Sequence, residues 1–171
     1  MKKILLTLVF ISLTFIPVHS QAHRYRDTGY QWSISYTNMT IIWNGIETSH
    51  GYMINEHHYI GAGAGFLFVP SGSDFPAIIQ AYADYHAYWY DDDSTPFAGI
   101  KLGYMGSIHP STDDLSALEI EPCIGWSWTT KSGFGLSVSV GEKIITTPVH
   151  FTESSSLPFT IVPSLSFSVE F

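Results

Sequence analysis

The chain of 171 residues carries seven basic and fifteen acidic side chains, which give a formal net charge of -8. This acidic balance argues against nucleic acid as a partner and against a broad basic patch for lipid phosphates. The single cysteine, Cys123, excludes an intramolecular disulfide and a thiolate metal cluster. We expect no nucleic-acid partner, no metal and no cofactor.

The first predicted element is a secretory signal peptide at residues 1–20. Two lysines precede an apolar run from Ile4 to Ile16, and small side chains lead up to Ser20, after which cleavage is expected. The run of about 13 residues is too short for a transmembrane helix, which needs about 20. Removal of the signal leaves residues 21–171, a length typical of one domain, with five basic and fifteen acidic side chains.

The rest of the chain alternates apolar residues with small or polar ones, as β-strands with two unlike faces do. In the stretch YQWSISYT, from Tyr30 to Thr37, four aromatic or aliphatic residues alternate with Gln, Ser and Thr. Continued along the chain, the pattern predicts eight strands near residues 29–38, 46–54, 58–69, 77–90, 95–106, 117–129, 133–145 and 158–171.

The predicted connections alternate between short and long. Those at 55–57, 91–94 and 130–132 have only three or four residues, whereas the others are longer. Short turns on one rim and long loops on the other are typical of outer-membrane barrels. The sequence therefore predicts an all-β domain at 21–171: an eight-stranded antiparallel transmembrane β-barrel, an up-and-down meander with short periplasmic turns and longer extracellular loops. A soluble secreted barrel with an apolar interior would show the same alternation and is the alternative.

The positions of the large aromatic residues favour an apolar exterior. On the apolar face many of them fall near the short turns, where membrane barrels carry an aromatic girdle. The other face is rich in Gly and Ser, which suit a narrow lumen that side chains fill rather than an open channel. We expect the periplasmic girdle to contain Tyr30, Trp32, Trp89, Trp126 and Trp128.

Charged residues on the polar face are predicted to pair inside the lumen. A turn at 91–94 places Asp84 opposite Lys101. The next short turn, with three residues, places Glu119 opposite Lys143. Buried charges require such partners. The predicted lumen charge network contains Asp84, Lys101, His86, Glu119, Lys143, Glu47 and Glu121.

Two stretches, GYMINEHHYIGAGAGFLFV from Gly51 and DYHAYWYDDDSTPFAGIKLGY from Asp84, resemble small outer-membrane β-barrel proteins of Bacteroidetes. These are short barrels of the OmpX/OmpA-like, porin-like kind, and the resemblance covers nearly the whole mature chain. It implies a protein of the Gram-negative cell envelope that is surrounded by outer-membrane lipid and has little assigned chemistry. One departure is His86, where the resemblance leads us to expect Arg. Pro122 and Pro163 cannot donate to a ladder, so bulges or irregular pairing are expected there.

The last predicted strand ends in PSLSFSVEF and is expected to pair with the first strand, so that no edge is left in lipid. The resemblance further implies that a terminal aromatic after this alternation is recognised by the outer-membrane barrel assembly machinery during biogenesis. The predicted assembly signal consists of Leu165, Phe167, Val169 and Phe171.

Polar residues in the long loops leave a catalytic alternative open. Some small barrels modify lipid A with Ser, His and an acidic residue near the outer rim, and the loops at 107–116 and 145–157 contain these residue types. Surface loops often have this composition without any activity. We therefore expect a monomeric, non-catalytic barrel with a structural or surface-interaction role and an unknown extracellular partner at its loops. The catalytic candidates are His109, Ser111, Asp113, Asp114, His150 and Glu153.

Overall fold

The computed structural model describes residues 26, 28–39, 43–68, 77–107, 116–146 and 159–171. The predicted signal peptide lies outside them. Within these ranges no helix is long and apolar enough to cross a membrane. The described residues form eight strands: β1 (Gly29–Met39), β2 (Trp43–Asn55), β3 (His58–Phe68), β4 (Ala77–Tyr88), β5 (Ser94–Ser107), β6 (Ser116–Thr129), β7 (Gly135–Thr146) and β8 (Phe159–Glu170).

The strands form one closed barrel in which each strand pairs antiparallel with its neighbours in sequence, and β8 returns to β1. The predicted eight-stranded antiparallel meander is confirmed. The short connections lie at one end of the barrel, which we call the short-turn end. The other end, at which the strands leave toward the undescribed segments, is the long-loop end.

The seam between β1 and β8 holds the end of the chain. Trp32 N donates to Phe171 O at 3.0 Å, and Phe171 N donates to Trp32 O at 2.8 Å. The Phe171 ring also stacks on Trp32 at 4.4 Å and meets Phe134 edge-on at 5.6 Å. The last residue is therefore fixed by two backbone bonds and two ring contacts, because closure of the barrel gives it a neighbour on each side.

Strand ends agree with the sequence prediction to within a few residues, and the largest difference at a strand start is in β2. This strand begins at Trp43 rather than at residue 46, since Trp43 pairs with Met39 and Asn44 with Asn38. Asn and Gly are poor strand formers, so their presence at 44 and 45 made the sequence prediction start the strand too late. Pairing with β1 overrides that propensity.

The predicted register between β6 and β7 is wrong by two residues. Glu119 pairs with Ile145, not with Lys143. Thr130 N donates to Phe134 O at 2.8 Å, and Gly133 has a φ of 86°. The hairpin therefore uses a three-residue loop with glycine in the left-handed region, one position further along the chain than predicted. This shift brings Lys143 level with Glu121.

The two strand prolines have different effects. The β6–β7 ladder lacks the pairs at Glu121 and Pro122, although the register is the same on both sides. Pairing is thus irregular at Pro122 without a bulge. Pro163 pairs with Glu142 in register. Its missing N–H is directed toward β1, where the ladder ends at the neighbouring pair of Ser164.

The barrel is apolar outside and holds buried charged side chains inside. Ile124 is 62% exposed and Tyr52 is 58% exposed on the outer face. In the lumen, Glu47 is 1% exposed and Lys143 is fully buried. Buried charges of this kind are contrary to the wholly apolar interior that the soluble-barrel alternative requires.

Truncation of the terminal aromatic is expected to weaken the seam. Phe171→Ala removes two ring contacts, each worth about 0.5–1.5 kcal/mol, so the free energy of unfolding should fall by about 1–3 kcal/mol. Phe159→Ala, at the other end of β8, is the control because no described ring contacts Phe159. Urea unfolding of the barrel in lipid vesicles measures both, and equal losses would contradict the assigned role of the Phe171 contacts.

Candidate functional site

The lumen is built in three layers. An apolar cluster at the short-turn end contains Met53, Tyr59, Tyr88 and Phe97. A second apolar cluster at the long-loop end contains Met39, Leu67 and Met105, with Trp43, Ile78, Ile145 and Val162 packed against it. Between the two lies a charged layer to which every member of the predicted lumen network belongs: Glu47, Asp84, His86, Lys101, Glu119, Glu121 and Lys143.

Lys143 is the centre of the charged layer. Its Nζ atom lies 3.0 Å from Glu119 Oε2, 3.2 Å from Glu121 Oε2 and 3.9 Å from Glu47 Oε1. The other oxygen of Glu47 lies 2.5 Å from Lys101 Nζ, so Glu47 bridges the two lysines. Glu119 reaches Lys143 although the backbone positions are two residues apart, because a lysine side chain spans that diagonal.

Two uncharged side chains that the pattern of charges did not indicate also belong to the network. Lys143 Nζ donates to Gln80 Oε1 at 2.9 Å, and Ser164 Oγ donates to Glu121 Oε1 at 2.7 Å. Gln80 lies four residues before Asp84 on the same face of β4, so strand parity alone would have placed it in the lumen.

Asp84 uses partners other than the predicted one. It pairs with Lys101 in the β4–β5 register as expected, but the Lys101 ammonium turns away to Glu47 and lies 5.1 Å from the centre of the Tyr82 ring. Asp84 Oδ1 instead lies 3.1 Å from His86 Nε2, and Ser49 Oγ donates to Asp84 Oδ2 at 2.8 Å. The expected Asp84–Lys101 ion pair is therefore replaced by contacts within β4 and across to β2.

Arg26 closes the short-turn end of the lumen, and nothing in the strand pattern pointed to it because it precedes β1. Its guanidinium donates to Thr129 Oγ1 at 2.7 Å, to Ser127 Oγ at 2.9 Å and to Asp92 O at 3.3 Å. Its Cζ atom lies 4.3 Å from the centre of the Tyr88 ring. The side chain is 2% exposed.

Glycines on β3 make room for large side chains from β4. A Cβ atom at Gly63 would lie 2.4 Å from the Tyr82 ring, and one at Gly65 would lie 2.6 Å from Gln80 Nε2. The space left over is on the opposite wall, where serines of β7, β8 and β1 line it. The lumen is thus filled from one side and kept polar on the other.

The predicted girdle residues lie at the short-turn ends of their strands. Tyr30 Oη and His50 Nδ1 are 2.7 Å apart, and Trp126 Nε1 donates to Ser94 Oγ at 2.7 Å. These bonds satisfy polar atoms on the outer face. Of the five, Tyr30, Trp126 and Trp128 are exposed, and Trp32 and Trp89 are half-buried.

The histidines of the β2–β3 turn bind separate partners rather than each other. His58 Nδ1 lies 2.8 Å from Tyr85 Oη, and His57 Nδ1 lies 3.2 Å from Tyr88 O. In the described part of the chain, no group of three or more His, Cys, Asp or Glu is arranged to hold a metal ion. The loop candidates for catalysis lie outside the described residues: His109, Ser111, Asp113, Asp114, His150 and Glu153.

Solved structures with the same barrel architecture include three natural proteins. Neisserial surface protein A is 11% identical, with a TM-score of 0.58 over 85% of this chain and 98% of that one. The N-terminal β-barrel domain of Pseudomonas aeruginosa OprF is 8% identical, with a TM-score of 0.55 over 85% and 100%. The outer membrane enzyme PagL is 9% identical, with a TM-score of 0.53 over 82% and 98%.

At these identities the likeness is one of fold. No protein-family model matches the sequence, and no curated protein matches it either. The chain therefore shares its architecture with both an outer-membrane enzyme and a surface protein, and its role has to be argued from its own residues.

Removal of the central cation is expected to destabilise the barrel strongly. Lys143→Met leaves Glu119 and Glu121 buried without their counter-charge, so the free energy of unfolding should fall by about 3–5 kcal/mol. Lys131→Met, in the exposed β6–β7 turn, is the matched control and should change it by less than about 0.5 kcal/mol. Urea unfolding followed by tryptophan fluorescence measures both. A Lys143 variant as stable as the control would show that the charged layer is not what holds the lumen together.

Proposed function

We propose that this chain is an integral β-barrel protein of a bacterial outer membrane with a non-catalytic role, structural or in surface interaction. The proposal rests on the distribution of polar and apolar side chains in the barrel. Exposed apolar side chains lie outside and buried ion pairs lie inside, which is the opposite of a soluble protein. A largely apolar surface of this kind is matched by acyl chains and not by water. The fold likeness to Neisserial surface protein A and OprF supports the location.

The role is not general diffusion through the barrel. The charged layer is bounded by an apolar cluster at each end, and Arg26 with Tyr88 covers the short-turn end. Barrels of about eight strands are filled by side chains. An extracellular partner would therefore contact the segments between the strands at the long-loop end. The barrel acts as a monomeric support for these segments.

Biogenesis follows from the same proposal. A signal peptide cleaved after Ser20 would deliver the chain to the periplasm, and Leu165, Phe167, Val169 and Phe171 would form the signal for the barrel assembly machinery. Phe171 is half-exposed on the outer face and tied into the seam, which is consistent with such a signal. The resemblance to small Bacteroidetes barrels supports the Gram-negative source.

A lipid A-modifying enzyme is the second candidate, because the outer membrane enzyme PagL has the same fold. Its site would lie in the long loops around His109 or His150. The charged layer is not such a site, since apolar clusters separate it from both rims.

One experiment in the native bacterium separates the two candidates. A deletion strain is complemented with the tagged chain, its membranes are fractionated, and its lipid A is analysed by mass spectrometry. We expect the protein in the outer-membrane fraction, heat-modifiable migration on a gel, and lipid A of unchanged acylation. Altered acylation that depends on His109 or His150 would overturn the non-catalytic role. Recovery in the aqueous fraction without detergent would overturn the membrane location.

A further inference from the structure

One carboxylate lies on the predominantly apolar outer face of the strands. Glu142 in β7 is exposed, and its neighbour Lys143 points into the lumen. Among the outward-facing strand residues that the structure describes, Glu142 is the one Asp, Glu, Lys or Arg. Its surroundings on β6, β7 and β8 are apolar: Ile120, Ile124, Val140, Ile144, Ile161 and Leu165.

Glu142 lies well inside the apolar belt. It lies four positions before Thr146, which pairs with Phe159 at the long-loop end. At about 3.4 Å per residue and a strand tilt near 40°, this separation is about 10 Å along the barrel axis. An ionisable side chain at such a depth is costly in lipid and is a mark of an interaction site.

The backbone carbonyl of Glu142 also lacks its ladder donor. Antiparallel pairs alternate between hydrogen-bonded and non-bonded, and the bond from Thr130 N to Phe134 O makes the pair of Pro122 and Glu142 one of the bonded kind. Proline has no N–H to donate, and the ladder omits this pair. Pro163 lies level with Glu142 on the other side, so two prolines flank it.

Glu142 thus presents its carboxylate to the membrane side of the barrel, while its backbone carbonyl points within the sheet toward Pro122. No described residue forms a hydrogen bond or an ion pair with its carboxylate. A complementary group must supply N–H donors and positive charge, which a guanidinium or an ammonium group does.

The described part of a second copy of this chain does not offer that group. Of the five basic residues after the predicted signal, Arg26, Lys101 and Lys143 are buried in the barrel. Lys131 lies in the turn at the opposite end, and Arg24 lies outside the described residues. The described residues of two copies with the same orientation in one membrane therefore place no cation at the depth of Glu142.

A lipid headgroup is also poorly placed, because headgroups lie at the interface, about 10 Å above Glu142. A side chain carried on a membrane-spanning segment reaches any depth. We propose that the outer face of β6–β8 around Glu142 docks another membrane protein through a lysine or arginine side chain. This inference rests on the membrane location proposed above.

The test uses the whole barrel in phosphatidylcholine vesicles and a synthetic probe. The probe is a leucine-based membrane-spanning helix that carries a dansyl group and a single Arg at the depth of Glu142, and a second helix has Leu in place of Arg. Energy transfer from the barrel tryptophans reports association. We expect the Arg helix to associate roughly tenfold more strongly than the Leu helix. The preference should vanish in Glu142→Gln and persist in Glu56→Gln, which removes an equal charge from a short turn.

Three results would overturn the inference. The first is equal association of the two helices with the unmodified barrel. The second is self-association of the barrel that is lost in Glu142→Gln, which would assign the face to a second copy. The third is an amine-bearing lipid retained in native mass spectra of the wild type and lost in Glu142→Gln, without any preference for the Arg helix. Heat-modifiable migration of each variant shows that it has inserted, and failure of the wild type to insert would instead overturn the proposed membrane location together with this inference.

Discussion

Lys143 is fully buried at the centre of the barrel, and the carboxylates of Glu119 and Glu121 lie within 3.2 Å of its ammonium group. The arrangement of the other lumen side chains follows from the need to pair this charge with counter-charges and to exclude water from it. A buried ion is tolerated only when counter-charges and hydrogen bonds replace its water, and those partners come from β2, β4 and β6. These partner residues and Lys143 must therefore lie at the same height along the barrel axis, which fixes the register of the four strands.

The filling of the lumen is asymmetric for a steric reason. β3 contributes glycines, so the large side chains of β4 can cross the interior toward β2, as Tyr82 does when its hydroxyl donates to Thr48 O at 3.2 Å. On the other wall, serines pair across the seam, with Ser35 Oγ and Ser168 Oγ 2.8 Å apart. Large residues on every strand would overfill a barrel of this size.

Most of the fold was predictable because the alternation of apolar and polar residues and the lengths of the turns determine it. The predicted β4–β5 register was correct, because the run of acidic residues shows where the turn lies in the sequence. The β6–β7 register was wrong because the three-residue loop lies at 131–133 rather than at 130–132, which places Gly133 in the left-handed conformation at its last position. Periodicity fixes the face that a residue lies on and leaves shifts of two residues open.

The site was predictable as a set of residues but not as a set of bonds. Strand parity brought all seven charged members to the lumen, whereas the choice of Glu47 over Asp84 as the partner of Lys101 depends on contacts across the barrel that no hairpin shows. Arg26 was missed because it belongs to no strand. Glu142 was missed because a single charge on an apolar face does not disturb the alternation.

Side chains seal the lumen against solutes. Cys123, the single cysteine, lies on the lumen face of β6 beside the charged layer and provides a direct probe. The folded barrel in vesicles is treated with a charged, membrane-impermeant maleimide, and the labelling rate is compared with that of the chain unfolded in urea. We predict labelling at least about a thousandfold slower in the folded barrel, as expected when access requires unfolding. Comparable rates in the two states would show that the lumen is open and would contradict the account.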